Sequence, residues 1–302
     1  MRLSVESMLS GLDSGWKNLH WTCGLSDCHN KLFMRSVPQS SVGIRMGETW
    51  YCSVDCFVKA TRNQLSVLAG VRSIDMPHIP RASIGSVMLS KGYITDEELR
   101  GAQAESRLHG EALETALVRL GLVDEWHLAS ARAIQWGYPV LGRDRISQSV
   151  DTDLPLSLIR TFSAAPLHYS KSAKRILMGF VYRVEYSLLH SLEQVTGCRV
   201  EPCFITPTEL HYQTERLEAA RESREVVLEA SMTATEMANV VGGLALEITA
   251  RDASLTRCKD HVWMRLSGKR RMVDVLFRGR RASVARKCDT FADTGEGIRA
   301  VG

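Results

Sequence analysis

One stretch of this chain copies itself at an offset of 29 residues, and that constrains the fold more than any bulk property does. The first copy is Ile84-Gly85-Ser86-Val87-Met88-Leu89-Ser90-Lys91-Gly92-Tyr93-Ile94-Thr95-Asp96-Glu97-Glu98-Leu99. The second is Leu113-Glu114-Thr115-Ala116-Leu117-Val118-Arg119-Leu120-Gly121-Leu122-Val123-Asp124-Glu125-Trp126-His127-Leu128. Gly92/Gly121 and Leu99/Leu128 are identical, and apolar positions correspond along the rest. Each copy reads as helix, tight turn, helix. The glycine falls just past the first helix, where a left-handed residue ends it. Thr95 or Asp124 caps the second helix, and Thr95-x-x-Glu98 is a capping box. Two such hairpins predict a four-helix unit.

From Pro139 the pattern changes. Residues 165–170 and 175–182 read as strands, 185–196 as a helix ended by Gly197, and Val200 to Phe204 as a further strand. Thr206-Pro207-Thr208-Glu209 opens another helix, with a capping box and proline in the first turn. This is a small α/β subdomain with βαβ character.

Four of the eight cysteines form two pairs near the N-terminus, Cys23-x4-Cys28 and Cys52-x3-Cys56. A tetrahedral zinc site needs four nitrogen or sulfur ligands brought together, and two short knuckles joined by a loop supply them. His20 or His29 could replace one cysteine. The string Tyr51-Cys52-Ser53-Val54-Asp55-Cys56-Phe57 resembles the closing half of a treble-clef zinc finger, with one ligand on a turn and the next in the first turn of a helix. Four protein ligands close the site, so the expected ion is structural Zn2+. Cys198 and Cys203 have no second pair beside them and read as buried thiols.

Composition is that of a globular chain, 44% hydrophobic and 24% charged, with a net charge of +4. The charge is local: residues 251–290 hold 12 Arg or Lys against 4 Asp or Glu. No stretch approaches the roughly 18–20 apolar residues of a membrane span. Met1-Arg2-Leu3-Ser4 does not begin a secretory signal. The expected compartment is the cytoplasm, where grouped cysteines point to metal rather than disulfides.

The repeat resembles the N-terminal, MshEN-like domain of type II secretion and type IV pilus assembly ATPases. That family carries a twice-repeated 24-residue motif with a five-residue spacer, which gives the offset of 29 seen here. The motif runs Arg-Leu-Gly-x2-Leu-x3-Gly-x6-Leu-x3-Leu-x2-Gln. The resemblance covers residues 81–218, and it implies a site for cyclic di-GMP, one motif copy per half of the ligand. Carried over position by position, it points to Ile84, Gly85, Met88, Gly92 and Leu99 in the first copy. In the second copy it points to Leu113, Leu117, Gly121, Leu128 and Gln135. Arg81 and Arg107 stand near the two opening arginines of the motif, whose own places hold Ser83 and Ala112. Glu114 replaces a glycine, and Arg132 a leucine. The packing positions survive better than the ligand-gripping ones, and Glu114 would repel a phosphate.

Beyond the repeat, Thr233-x-x-Glu236 caps a helix, and Val262 to Leu266 with Met272 to Phe277 reads as a β-hairpin. Lys269-Arg270-Arg271, Arg278, Arg280 and Arg281 read as a solvated turn and tail. No G-x4-G-K-[S/T] phosphate loop, G-x-S-x-G or H-E-x-x-H occurs, so no catalytic constellation is expected.

The fold class is therefore α+β multidomain: a small zinc finger, a four-helix repeat unit plus small α/β subdomain, and a C-terminal helix–β-hairpin. The expected boundaries are a leader at 1–20, the finger at 21–68, a linker at 69–82 and the MshEN-like domain at 83–218. A second linker follows at 219–232, then the helix and hairpin at 233–281 and a disordered tail at 282–302. The functional expectation is a non-catalytic cytoplasmic adaptor with a protein partner. A cyclic di-GMP receptor is the first alternative, and a nucleic-acid-binding zinc-finger protein the second.

Overall fold

The computed structural model describes residues 20–33, 43–70, 81–142, 146, 154–220, 224–229 and 232–278. The expected leader up to residue 19, the tail and most of the first linker lie outside these, as do Arg280, Arg281 and Cys288.

The chain enters through a short antiparallel pair, β1 (His20–Thr22) and β2 (Lys31–Phe33), then a hairpin, β3 (Ile44–Met46) and β4 (Thr49–Tyr51). Helix α1 (Val54–Gly70) follows directly. The repeat forms four helices: α2 (Ile84–Ser90), α3 (Asp96–His109), α4 (Leu113–Arg119) and α5 (Glu125–Trp136). Their ends are set by local chemistry. The Thr95 N–H donates to Glu98 Oε2 at 2.7 Å while the Glu98 N–H donates to Thr95 Oγ1 at 3.3 Å, closing the capping box. Asp124 accepts from the His127 N–H at 2.7 Å. Gly92 (φ +66°) and Gly121 (φ +69°) turn the chain left-handed between the helices of each hairpin, where a side chain would be strained. Ile84, Val87, Met88, Ala102, Leu117, Leu128 and Ala131 fill the core between the four helices.

After α6 (Leu156–Phe162), strand β5 (Ala164–Ser170) pairs antiparallel with β6 (Arg175–Phe180). Chain then crosses through α7 (Tyr186–Thr196) to β7 (Arg199–Phe204), which lies parallel to β6, the βαβ unit read from the sequence. Helix α8 (Pro207–Ala220) starts with Thr206 Oγ1 accepting from the Glu209 N–H at 3.1 Å.

The remaining strands are β8 (Arg224–Glu229), β9 (Asp252–Cys258), β10 (His261–Ser267) and β11 (Met272–Arg278), with α9 (Ala234–Glu247) between the first two. With β3 and β4 they form a six-stranded sheet in the order β4-β3-β9-β10-β11-β8. Two features depart from the sequence expectation. The interval 219–232, expected as a linker, contains β8, which pairs parallel with β11. Its run Val226-Val227-Leu228 is short and flanked by charge, and its partner lies far along the chain, so no local pattern marks it. The expected C-terminal hairpin is present as β10 and β11, with Val262 opposite Phe277, and β9 extends it to three strands.

The segments expected at 21–68 and 233–281 share this sheet and one core. Strand β3 pairs parallel with β9, Arg45 beside Asp252 and Met46 beside Ala253. Phe57, Leu65, Trp50 and Tyr51 pack with Met237, Val241, Ala245, Met264, Val275 and Phe277. The other face of the sheet buries Cys258, Trp263 and Leu276 against Leu188 and Leu192 of α7. Successive residues of β11 enter opposite cores, Val273, Val275 and Phe277 one and Leu276 the other, so its burial runs nearly unbroken, as a strand covered on both faces requires. Among the described residues no helix is long and apolar enough to cross a membrane.

Candidate metal centre and the repeat surface

The four paired cysteines converge, although 24 residues separate Cys28 from Cys52. Cys23 leaves β1, and its N–H donates to the Asn30 carbonyl at 3.0 Å. The chain then turns, and the Cys28 N–H donates to the Leu25 carbonyl at 2.9 Å, which folds the two sulfurs to one side of a knuckle. The Gly24 N–H donates to the Trp50 carbonyl at 2.8 Å, fastening the knuckle to the second hairpin. A Cβ at Gly24 would collide with Thr49, so this approach requires glycine. Cys52 follows β4. Ser53 caps α1 by accepting from the Cys56 N–H at 3.2 Å, and this puts Cys56 in the first helical turn.

The four sulfurs lie within 4.8 Å of one another, with Cys28–Cys52 at 3.6 Å and Cys52–Cys56 at 3.7 Å. Sulfurs bound tetrahedrally about 2.3 Å from a central ion stand about 3.8 Å apart, so the cage is the size such an ion needs. Its order of knuckle, hairpin and helix is the treble-clef arrangement. His29 is exposed and outside the cluster, so the donor set among the described residues is all sulfur.

The sulfurs differ as acids. Burial pushes Cys52 up to about 12, and hydrogen bonding with Cys28 adds to it. Cys56 is also raised: the Ser53 hydroxyl and Cys52 pull it down, but burial and the Cys28 and Cys23 sulfurs outweigh them. Cys23 is lowered: burial opposes this, but the backbone N–H groups of Leu25 and Cys52 favour its thiolate. Crowded thiols resist losing several protons together, and a bound cation reverses that balance, so uptake of metal releases protons. Cys198, Cys203 and Cys258 are buried away from the cluster, and burial raises Cys203 and Cys258 to about 12.

The residues singled out in the repeat fall into two groups. Ile84, Met88, Leu117 and Leu128 are buried in the four-helix core, and Leu99 and Leu113 pack against it. A Cβ at Gly85 would come within 2.9 Å of Leu99 Cδ1 and 3.5 Å of Leu113 Cδ2, so side chains of both copies close over Gly85. Gly92 and Gly121 make the left-handed turns. The polar positions are mostly engaged within the chain. Arg81 lies over the Trp136 ring at 3.6 Å, and Gln135 Nε2 donates to the Ala82 carbonyl at 2.6 Å. Ser83, where the family motif has arginine, caps α2. Arg132 is buried, donates to the Val181 carbonyl at 3.0 Å and stands 3.9 Å from Glu114. Burial lowers its pKa, and Glu114 partly offsets that. Arg107 is exposed.

No family profile matches the chain. Over 131 residues it is 30% identical to the type IV pilus assembly ATPase PilB of Thermus thermophilus, a stretch that is 43% of this chain and 15% of that protein. Among solved structures, that of MshE with cdg covers 45% of this chain and 99% of its own, at 19% identity and a TM-score of 0.38. The N-terminal domain of XpsE covers 46% of this chain and 98% of its own, at 21% identity and a TM-score of 0.35. Under half of the chain is therefore similar to the N-terminal domain of type II secretion and type IV pilus assembly ATPases.

Proposed function

We propose that the protein is a non-catalytic cytoplasmic adaptor, in which the MshEN-like segment is a scaffold for protein contacts. The observation that carries this reading is the fate of the polar groups at or beside the family's ligand positions. Arg81 is stacked on Trp136, Gln135 is tied to Ala82, Arg132 is buried on the Val181 carbonyl, and Ser83 caps a helix. Binding a dianion there would break several intramolecular contacts and place it near the Glu114 carboxylate. Titration calorimetry of the full chain with cyclic di-GMP tests this. The expected result is no saturable heat up to about 100 μM, a binding free energy weaker than about −5.5 kcal/mol. Micromolar binding, lost in Arg81→Ala or Arg107→Ala, would overturn the scaffold reading in favour of a cyclic di-GMP receptor.

The ion proposed for the sulfur cage is zinc, which tetrahedral all-thiolate sites select. Cys23, Cys28, Cys52 and Cys56 would hold it and leave no position open for substrate. When bound, it supplies a cross-link between the knuckle and α1. Elemental analysis should give about one zinc per chain by the four-ligand argument.

A further inference from the structure

The six-stranded sheet brings together cations that the sequence keeps far apart. One end of the sheet is formed by the starts of β3, β9, β11 and β8 and by the finish of β10. Arg45 lies at the start of β3, and Arg251 precedes β9, its N–H donating to the Ser267 carbonyl at 2.8 Å. Lys269, Arg270 and Arg271 form the turn between β10 and β11, and Arg224 opens β8. Arg278, part of the same basic run in sequence, lies at the opposite end of β11.

Acid at this end is already committed. Asp252 accepts from Arg45 Nε at 2.7 Å, and Glu247 from Arg224 Nη1 at 2.8 Å. Among the described residues Arg251, Lys269, Arg270 and Arg271 have no ion-pair partner. Arg251 goes further: its Nε and Nη1 are buried without a hydrogen-bond acceptor beside a cavity of about 250 Å³. A larger cavity of about 620 Å³ is lined by Arg224, Lys269, Arg270 and Arg271, with Glu247 at its wall and no aromatic residue.

We propose that this end of the sheet binds the phosphate backbone of nucleic acid, without reading its sequence. The row crosses five strands, about 19 Å at about 4.8 Å per strand, too long for one phosphate group. A duplex offers a charge about every 1.7 Å of its axis and fills such a row. Five of the six cations are arginines, whose planar fork matches paired phosphate oxygens. A protein partner is the less favoured occupant, because protein interfaces are anchored by aromatic and apolar side chains at their centre, and this rim is charged throughout. Nucleic-acid interfaces are the more positive and more polar kind. The rim lies outside the repeat, so this proposal and the scaffold reading stand or fall separately.

The test is fluorescence anisotropy of the full chain with a labelled duplex of about 20 base pairs, longer than the rim. Four phosphate contacts predict a slope of log K against log salt of about −3.6, or roughly 150-fold weaker binding at 200 mM than at 50 mM salt. A second duplex of scrambled sequence should bind equally. Lys269→Glu/Arg270→Glu/Arg271→Glu should abolish binding, while Arg278→Glu should change it by less than about twofold. Should the triple variant misfold by circular dichroism, Arg270→Ala and Arg271→Ala singly should each reduce the slope by about 1. The proposal is overturned by no binding at low salt, or by neutral turn variants. It is overturned equally by binding lost on removing residues 279–302, or by polyglutamate or anionic vesicles displacing the duplex at equal charge.

Discussion

Asp274 is fully buried, yet it accepts hydrogen bonds from Trp263 Nε1 at 2.8 Å and from Arg265 Nε at 2.8 Å and Nη2 at 2.9 Å. The carboxylate thereby ties β10 to β11 on the face that meets α7. Asp274→Ala breaks this mostly buried ion pair with Arg265 and should cost about 3–5 kcal/mol in urea unfolding. Thr95 acts at the helix end. Thr95→Ala should cost about 1 kcal/mol at neutral pH. The backbone N–H and hydroxyl of Thr95 hold the Glu98 carboxyl below its ordinary range. A depressed carboxyl stabilises the fold above its unfolded pKa, and that contribution is lost as pH falls through the folded value. The gap between wild type and Thr95→Ala should therefore narrow progressively in melts taken at pH values falling below the ordinary glutamate value of 4.5. Caps of this kind were legible in the sequence because both partners sit three residues apart. The role of Asp274 was not, because its partners arrive from the neighbouring strand.

Between elements, α1 and α9 pack closely at a glycine. A Cβ at Gly242 would come within 2.5 Å of Val58 Cγ2, whereas one at Gly243 meets nothing within 4 Å. The adjacent glycines should then respond oppositely to alanine. Gly242→Ala forces the helices apart and should cost about 1–3 kcal/mol. Gly243→Ala lowers only the helix-entropy cost and should gain about 0.5–1 kcal/mol. Paired thermal melts would read the difference in sign. Periodicity revealed both helices, and the spacing of the cysteines pointed to the four sulfurs that the fold brings within 4.8 Å of one another. Strand β8 and the β3–β9 pairing were hidden, since parallel neighbours distant in sequence leave no turn residues between them.

For the whole molecule, the cysteine cage and the last three strands share one core, so stripping the zinc proposed for that cage should be felt far from the sulfurs. Chelation should speed hydrogen exchange in 252–258 and 261–267 as well as in 44–70, while the repeat core at 84–136 keeps its protection. Exchange confined to 20–70 would show that the sheet is held without the cage. The basic rim belongs to this scale too: Arg45 and Arg271 come to the same end of the sheet only after the chain has closed on itself, and composition could show no more than a positive C-terminal region.

That closure sets an order of events during synthesis. Arg45 and Asp252 are 207 residues apart. At a ribosomal pace of about 5–20 residues per second, the N-terminal hairpin and the apolar side of its helix wait roughly 10–40 s for the strand and helix that cover them. Four thiols drawn from residues 23 to 56 can close on an ion within that interval. Metal supply would then govern how much of the nascent chain survives to meet its own C-terminal half.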